Sequence, residues 1–188
     1  MLFISLERIV ADMFGRYGSF PSKYHGRAKL THVFASNKIQ FFILQSLCEL
    51  NSTREVDAFE FSNSEDFAIA TSFEVGIAEN AFFHYLEPSK VSQYWLRLTR
   101  KEPSSILDFL LIVKYYRNKD EKLVPLKFDH FILRFLFDSK TFELLVFHER
   151  GIRRIQIREL LVYISKKISG KLEKAGFKGL IISNMRVV

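Results

Sequence analysis

The chain has 188 residues, of which 28 are Lys or Arg and 21 are Asp or Glu, for a formal net charge of +7. Its 20 Phe and its 48 % share of hydrophobic residues exclude a disordered chain and supply one sizeable core, or two small domains sharing an interface. The one cysteine, Cys48, excludes an internal disulfide framework and a cysteine-rich zinc site and suits a reducing cytoplasm. Set among Leu44, Leu47 and Leu50, it reads as core rather than nucleophile.

Residues 1–17 place Leu2, Leu6, Ile9, Val10, Met13 and Tyr17 on one side of a helix, with Glu7, Arg8, Asp12 and Arg16 opposite. The acids and the lack of a basic lead make this stretch a poor signal peptide, and no apolar run approaches a membrane span. Residues 19–36 read as a long polar loop. Its Lys23, Tyr24, His25, Arg27 and Lys29 suit a phosphate backbone, against the plainer reading of a solvated loop. A helix follows from Asn37 to Leu50, then a short strand near 56–61. Four-residue steps at Ile69, Phe73, Ile77 and Ala81 predict a helix over 65–86, weakened by Gly76 and stopped by Pro88. Val91, Tyr94, Trp95 and Leu98 predict another from Ser89.

After Pro103 the hydrophobic period changes from 3.6 to 2. Three strands are expected at 106–117, 123–138 and 141–149, then a helix at 156–175, then a strand at 179–183. The fold class expected is therefore α+β, with a mainly helical region over 1–102 and a basic βββαβ domain over 104–188. That domain is read as a three-strand antiparallel meander, a long basic amphipathic helix and a final strand reached by a parallel crossover.

The segment 150–178 carries nine Lys/Arg against two acids, a net charge equal to that of the whole chain. Within it Ile157, Leu160, Leu161, Ile164, Ile168 and Leu172 recur at helical spacing, leaving the charges wet. Arg150, Arg153, Arg154, Arg158, Lys166, Lys167, Lys171 and Lys174 are the candidate contacts to phosphate, and nucleic acid is the leading partner.

A two-residue loop at Ser139 and Lys140 pairs Phe135 with Leu144, Phe131 with His148 and Asp129 with Arg150. If Arg117 lies opposite Lys122 in the preceding hairpin, the same end of one face gathers Asp108, Asp129, His148 and Arg150. Asp108, Asp129 and His148 are then candidate ligands for Mg²⁺ or Mn²⁺. With Glu143 and Glu149, the two aspartates are candidate catalytic acids for phosphodiester cleavage. The plainer reading is that Asp129 and Arg150 pair at the sheet margin, and that no cofactor is needed.

The order helix, three strands, helix, strand resembles the αβββαβ core of the PD-(D/E)xK nucleases over 104–183 and one preceding helix. The resemblance implies a metal-binding acid on the second strand, where Asp129 stands, and a Glu-x-Lys on the third. The third strand reads Phe142-Glu143-Leu144-Leu145, without that lysine, and Glu149 is followed by Arg150-Gly151. Three functions are thus expected in order: a binder of nucleic-acid backbone, a metal-dependent nuclease, and a subunit whose basic helix covers an acidic protein.

Overall fold

The computed structural model describes residues 13–51, 54–56, 69–99, 104–119 and 122–188. In chain order these form β1 (Met13–Arg16), β2 (Gly26–Thr31), α1 (Ser36–Leu50), β3 (Arg54–Val56), β4 (Ile69–Glu79) and β5 (Phe82–Tyr85). A 3-10 turn at Pro88–Lys90 leads into α2 (Val91–Thr99), followed by β6 (Ile106–Lys119), β7 (Lys122–Phe137), β8 (Thr141–Gly151), α3 (Ile157–Lys174) and β9 (Ile181–Val187). The strands build one sheet in the order β1-β5-β4-β6-β7-β8-β2-β9, with β3 also paired to β4, and all these pairings are antiparallel.

This architecture corrects the expected helical half followed by a βββαβ domain. Residues 69–85 are a β-hairpin, because a four-residue step satisfies a period of two as well as one near 3.6. Between Ile69, Phe73 and Ile77 lie Thr71 and Val75, which are buried too, so that every second side chain faces the core. These mostly β-branched residues favour the pleated backbone. Asn80 and Ala81, both at positive φ, make the two-residue turn that joins Glu79 to Phe82.

The supposed loop at 19–36 contains β2, whose Gly26, Ala28 and Leu30 point inward while Arg27, Lys29 and Thr31 point out. Strand β2 lies between β8 and β9, so the final strand bonds antiparallel to β2 and not to the meander. The helix expected over 1–17 lies outside the described residues except at its end, where Met13–Arg16 is a strand paired with β5. Of the strand expected near 56–61 only Val56 lies within the described residues, as the last residue of β3.

The meander and the long helix form where the sequence places them. Phe135 opposes Leu144 and Leu133 opposes Val146, and all four are buried. Phe137, opposite Phe142, is partly buried. In α3 the inward face is Ile157, Leu160, Leu161, Ile164, Ile168 and Leu172. Each such side chain contributes on the order of 1.5–3 kcal/mol by leaving water. The helix ends as its sequence suggests. Gly176 adopts φ +79°, and the N–H groups of Gly176 and Phe177 donate to the carbonyls of Glu173 (2.9 Å) and Leu172 (3.0 Å).

Helices α1, α2 and α3 pack on one face of the sheet, around Leu30, Ile43, Phe109, Leu133 and Ile164. The other face carries a smaller apolar cluster of Phe20, Phe83, Leu110, Ile112, Ile132 and Leu145, on which Phe14, Tyr17 and Tyr24 also pack. Strand β2 meets α3 at Gly26, where a Cβ would collide with the Ile157 and Leu161 side chains.

Two substitutions test this packing. Phe135→Ala is expected to lower unfolding free energy by about 3–5 kcal/mol in a denaturant titration. Gly26→Ala is expected to cost about 1–3 kcal/mol by overpacking against α3. A wild-type midpoint for Gly26→Ala would remove α3 from above β2.

Candidate nucleic-acid interface

Asp129 stands on β7 where β8 runs out, facing the helix side, with no exposed surface. A bulge between His130 and Phe131 sets Asp129 opposite Gly151 rather than Arg150. Gly151, at φ +120°, leaves no Cβ to strike the Asp129 carboxylate, and the chain then folds back over it. Oδ1 of Asp129 accepts from the backbone N–H of Arg153 (2.7 Å) and pairs with His148 Nε2 (3.0 Å). Oδ2 accepts from the Tyr115 hydroxyl (2.6 Å) and the backbone N–H of Arg154 (2.9 Å). The four acceptor positions of an ionised carboxylate are thereby filled. Burial alone would raise the Asp129 pKa, but the Tyr115 hydroxyl and the other donors hold it below the usual range. The Tyr115 phenol is driven far up, first by burial and then by its bond to Asp129.

This carboxylate ties down an arginine-rich loop. Arg153 sits at φ +50°, a strained conformation for a residue with a Cβ, and its own N–H and that of Arg154 hold it there. Arg150, Arg153, Arg154 and Arg158 are all exposed. The Arg154 guanidinium lies 5.7 Å from the Tyr115 ring centre. Arg150 Nη2 reaches His130 Nε2 at 3.1 Å. Burial, and then the Arg150 charge, lower the His130 pKa to about 4. Arg153 and Arg158 also border an open cleft of about 480 Å³, walled by Ile155, Gln156 and Ile157 and by Met185 and Val187 of β9. His25, hydrogen-bonded at Nδ1 by the His148 N–H (2.9 Å), has its pKa lowered by burial and then by Arg153.

The basic segment is therefore divided. Its arginines gather around the start of α3 and its lysines lie in the second half of the helix, with Arg158 and Lys174 about 24 Å apart along the axis. Lys166 and Lys174 are exposed, Lys167 lies over the Tyr163 ring at 5.2 Å, and Lys171 is paired with Glu49 of α1.

The candidate acids do not converge. Strands β6 and β7 extend to Lys119 and Lys122, and a bulge between Lys114 and Tyr116 shifts the pairing by one residue more, so Asp108 opposes Arg134 rather than Phe131. The register differs from the expected one by an odd number of residues, which turns Asp108 to the opposite face from Asp129. There Asp108 is held by Arg134 through Nε and Nη2, each at 2.7 Å, and by the Tyr17 hydroxyl at 2.5 Å. Glu143 pairs with Arg27 at 2.5 Å, and Glu149 is exposed. Of the three expected ligands, Asp129 and His148 do meet, but each acceptor position of Asp129 is occupied. Among the described residues no three His, Cys, Asp or Glu side chains are grouped to hold a metal ion. Tyr115, Gly151, Met185 and Val187 were not among the candidates. Gly151, directly after Arg150, was the local signal of a tight turn.

Comparison with protein-family models, with curated proteins and with solved structures finds no match for this chain.

Two predictions follow from the buried carboxylate and its surroundings. Asp129→Asn keeps the shape but turns an NH₂ toward two donors. It is expected to lower unfolding free energy by at least about 2 kcal/mol, since each orphaned buried donor costs about 1–3 kcal/mol. Because the folded pKa of Asp129 is depressed, its contribution is present above the unfolded carboxyl value and is lost as pH falls through the folded one.

His130 follows the same rule at a higher pH. The unfolded chain takes up its proton near 6.5 and the folded chain only near 4, so stability is whole above 6.5 and falls as pH drops between those values. The lowered His25 and His32 act in the same direction. His130→Gln is expected to reduce the loss between pH 7 and pH 5 in denaturant titrations. An unchanged loss would contradict the burial of a neutral His130.

Proposed function

We propose that this chain binds nucleic acid through its phosphate backbone, with the arginines of the 150–158 loop as the principal contacts. The observation that carries this reading is the way Asp129 is used. A fully buried carboxylate, two backbone N–H groups and a strained arginine together fix one short loop whose side chains are basic and exposed.

Arg153, Arg154 and Arg158 stand near the N-terminus of α3, where the helix dipole is positive and cations are disfavoured. Only Glu159, which accepts from the Gln156 N–H at 3.4 Å, offsets them in the first turn. Charge, dipole and fixed geometry thus add at an anion approaching this end of the molecule. Guanidinium groups suit phosphate because their planar forks bind it bidentately. No helix among the described residues is long and apolar enough to cross a membrane.

Binding of this kind releases counterions. Four arginines meeting four phosphates are expected to give a slope of log affinity against log salt of about −3 to −4 on duplex DNA. Measured by fluorescence anisotropy, Arg153→Ala with Arg158→Ala is expected to flatten the slope by about 2 and to weaken binding on every sequence alike. The reversal Lys166→Glu with Lys167→Glu is expected to do less, because those side chains lie down the helix from the loop. No binding at low salt would overturn the reading and turn the basic segment toward an acidic protein.

A further inference from the structure

We propose that the cleft between the start of α3 and β9 seats one unpaired nucleotide of a nucleic-acid strand, so that the protein prefers single-stranded to duplex nucleic acid. This deepens the backbone-binding reading and rests on it. The cleft, about 480 Å³, falls in the range of small-molecule sites. Its chemistry has two parts. Arg153 and Arg158 are exposed, and neither has an acidic partner among the described residues. Met185 and Val187 supply an apolar ledge, with Ile155 and Ile157 buried behind it. A ligand that matches both is anionic at one end and flat and apolar at the other.

The topology explains why this space is open. Helix α3 sits over β2, with Ile157 and Leu161 against Gly26, and β9 is the last strand on that side of the sheet. Met185 opposes Ala28 and Val187 opposes Gly26 across the β2–β9 pair. These β9 side chains therefore form a ledge beyond the helix, and Val187 is 44 % exposed. Across the cleft from that ledge, the Arg153 backbone is fixed by its N–H bond to Asp129. A phosphate held between the two guanidinium groups brings its nucleoside over Met185 and Val187. A guanidinium plane also serves as a surface on which an unpaired base stacks. A base inside a duplex cannot reach the ledge, because both of its faces are already covered by its neighbours in the stack.

The test compares a fluorescent single-stranded 12-mer with a blunt 12-base-pair duplex at one salt concentration, by anisotropy, with adenosine 5′-monophosphate, adenosine and inorganic phosphate as competitors. The single strand is expected to bind about tenfold more tightly, the order set by one stacked base. Adenosine 5′-monophosphate is expected to compete better than either of its parts. Val187→Ser, which strips apolar surface from an exposed position without placing a charge beside Arg153 and Arg158, is expected to abolish the preference through loss of single-strand affinity. Arg186→Ser, a charge change on the neighbouring residue outside the cleft lining, is expected to retain the preference. Equal binding of the two forms, or a preference untouched by Val187→Ser, overturns the cleft alone. Loss of binding to both forms in the wild type at low salt overturns the backbone reading with it. Circular dichroism and thermal melting of each variant establish that it is folded.

Discussion

A single carboxylate, that of Asp129, ties this end of the molecule together. It is buried at the margin of the sheet, and burial of a charge is costly unless each lone pair finds a donor. Here a phenol from β6, an imidazole from β8 and two backbone N–H groups from the following loop fill them all. Three parts of the chain far apart in sequence are thereby held at one point. The loop between β8 and α3 is set by these bonds rather than by its own propensities, which is why Arg153 tolerates a left-handed backbone. Gly151 is required for the same reason, since any side chain there would occupy the space of the carboxylate.

The opposite face is held by a second buried acid in a different way. Asp108 accepts from Nε and Nη2 of Arg134 and from the Tyr17 hydroxyl, and the Arg134 guanidinium lies 4.7 Å from the Phe20 ring centre. The burial of Tyr17, and then its bond to Asp108, push its phenol well above the ordinary value. This cluster pins the segment carrying Tyr17 and Phe20 across the sheet and shields Leu110 and Ile132. Each aspartate thus stabilises a different layer, and neither carboxylate is turned toward the other.

The distribution of basic charge follows from these anchors. Helix α3 buries one face completely, so its lysines are spread around the remaining circumference, and Lys171 is drawn to Glu49 of α1. The arginines precede the helix or begin it, and the fixed loop collects them at one end. Strand β9 then adds Met185 and Val187 to the same region from the far end of the chain. Charge and an apolar ledge meet there because β2 separates β8 from β9, which places β9 at the sheet edge beside the start of α3.

The sequence by itself determined the elements whose periodicity has one meaning. These are the meander of β6, β7 and β8, the Phe135–Leu144 pairing, α1, α2, and α3 with its Gly176 stop. It also marked the basic segment, since a count of charges does not depend on the fold. Tertiary structure alone decided the rest. The spacing of Ile69, Phe73 and Ile77 fits helix and strand equally, and only pairing with β6 makes it a strand. β2 alternates charge with Ala28 and Leu30 and is too short to be recognised without its two neighbours. Asp108 and Asp129 are assigned to opposite faces by the bulge in β6 between Lys114 and Tyr116, a one-residue shift that only the pairing of β6 with β7 reveals. Asp129 looked like a catalytic acid because a sequence shows a carboxyl group but not the donors around it. Those donors come from β6, β8 and the loop, and only the folded chain brings them to the same two oxygen atoms.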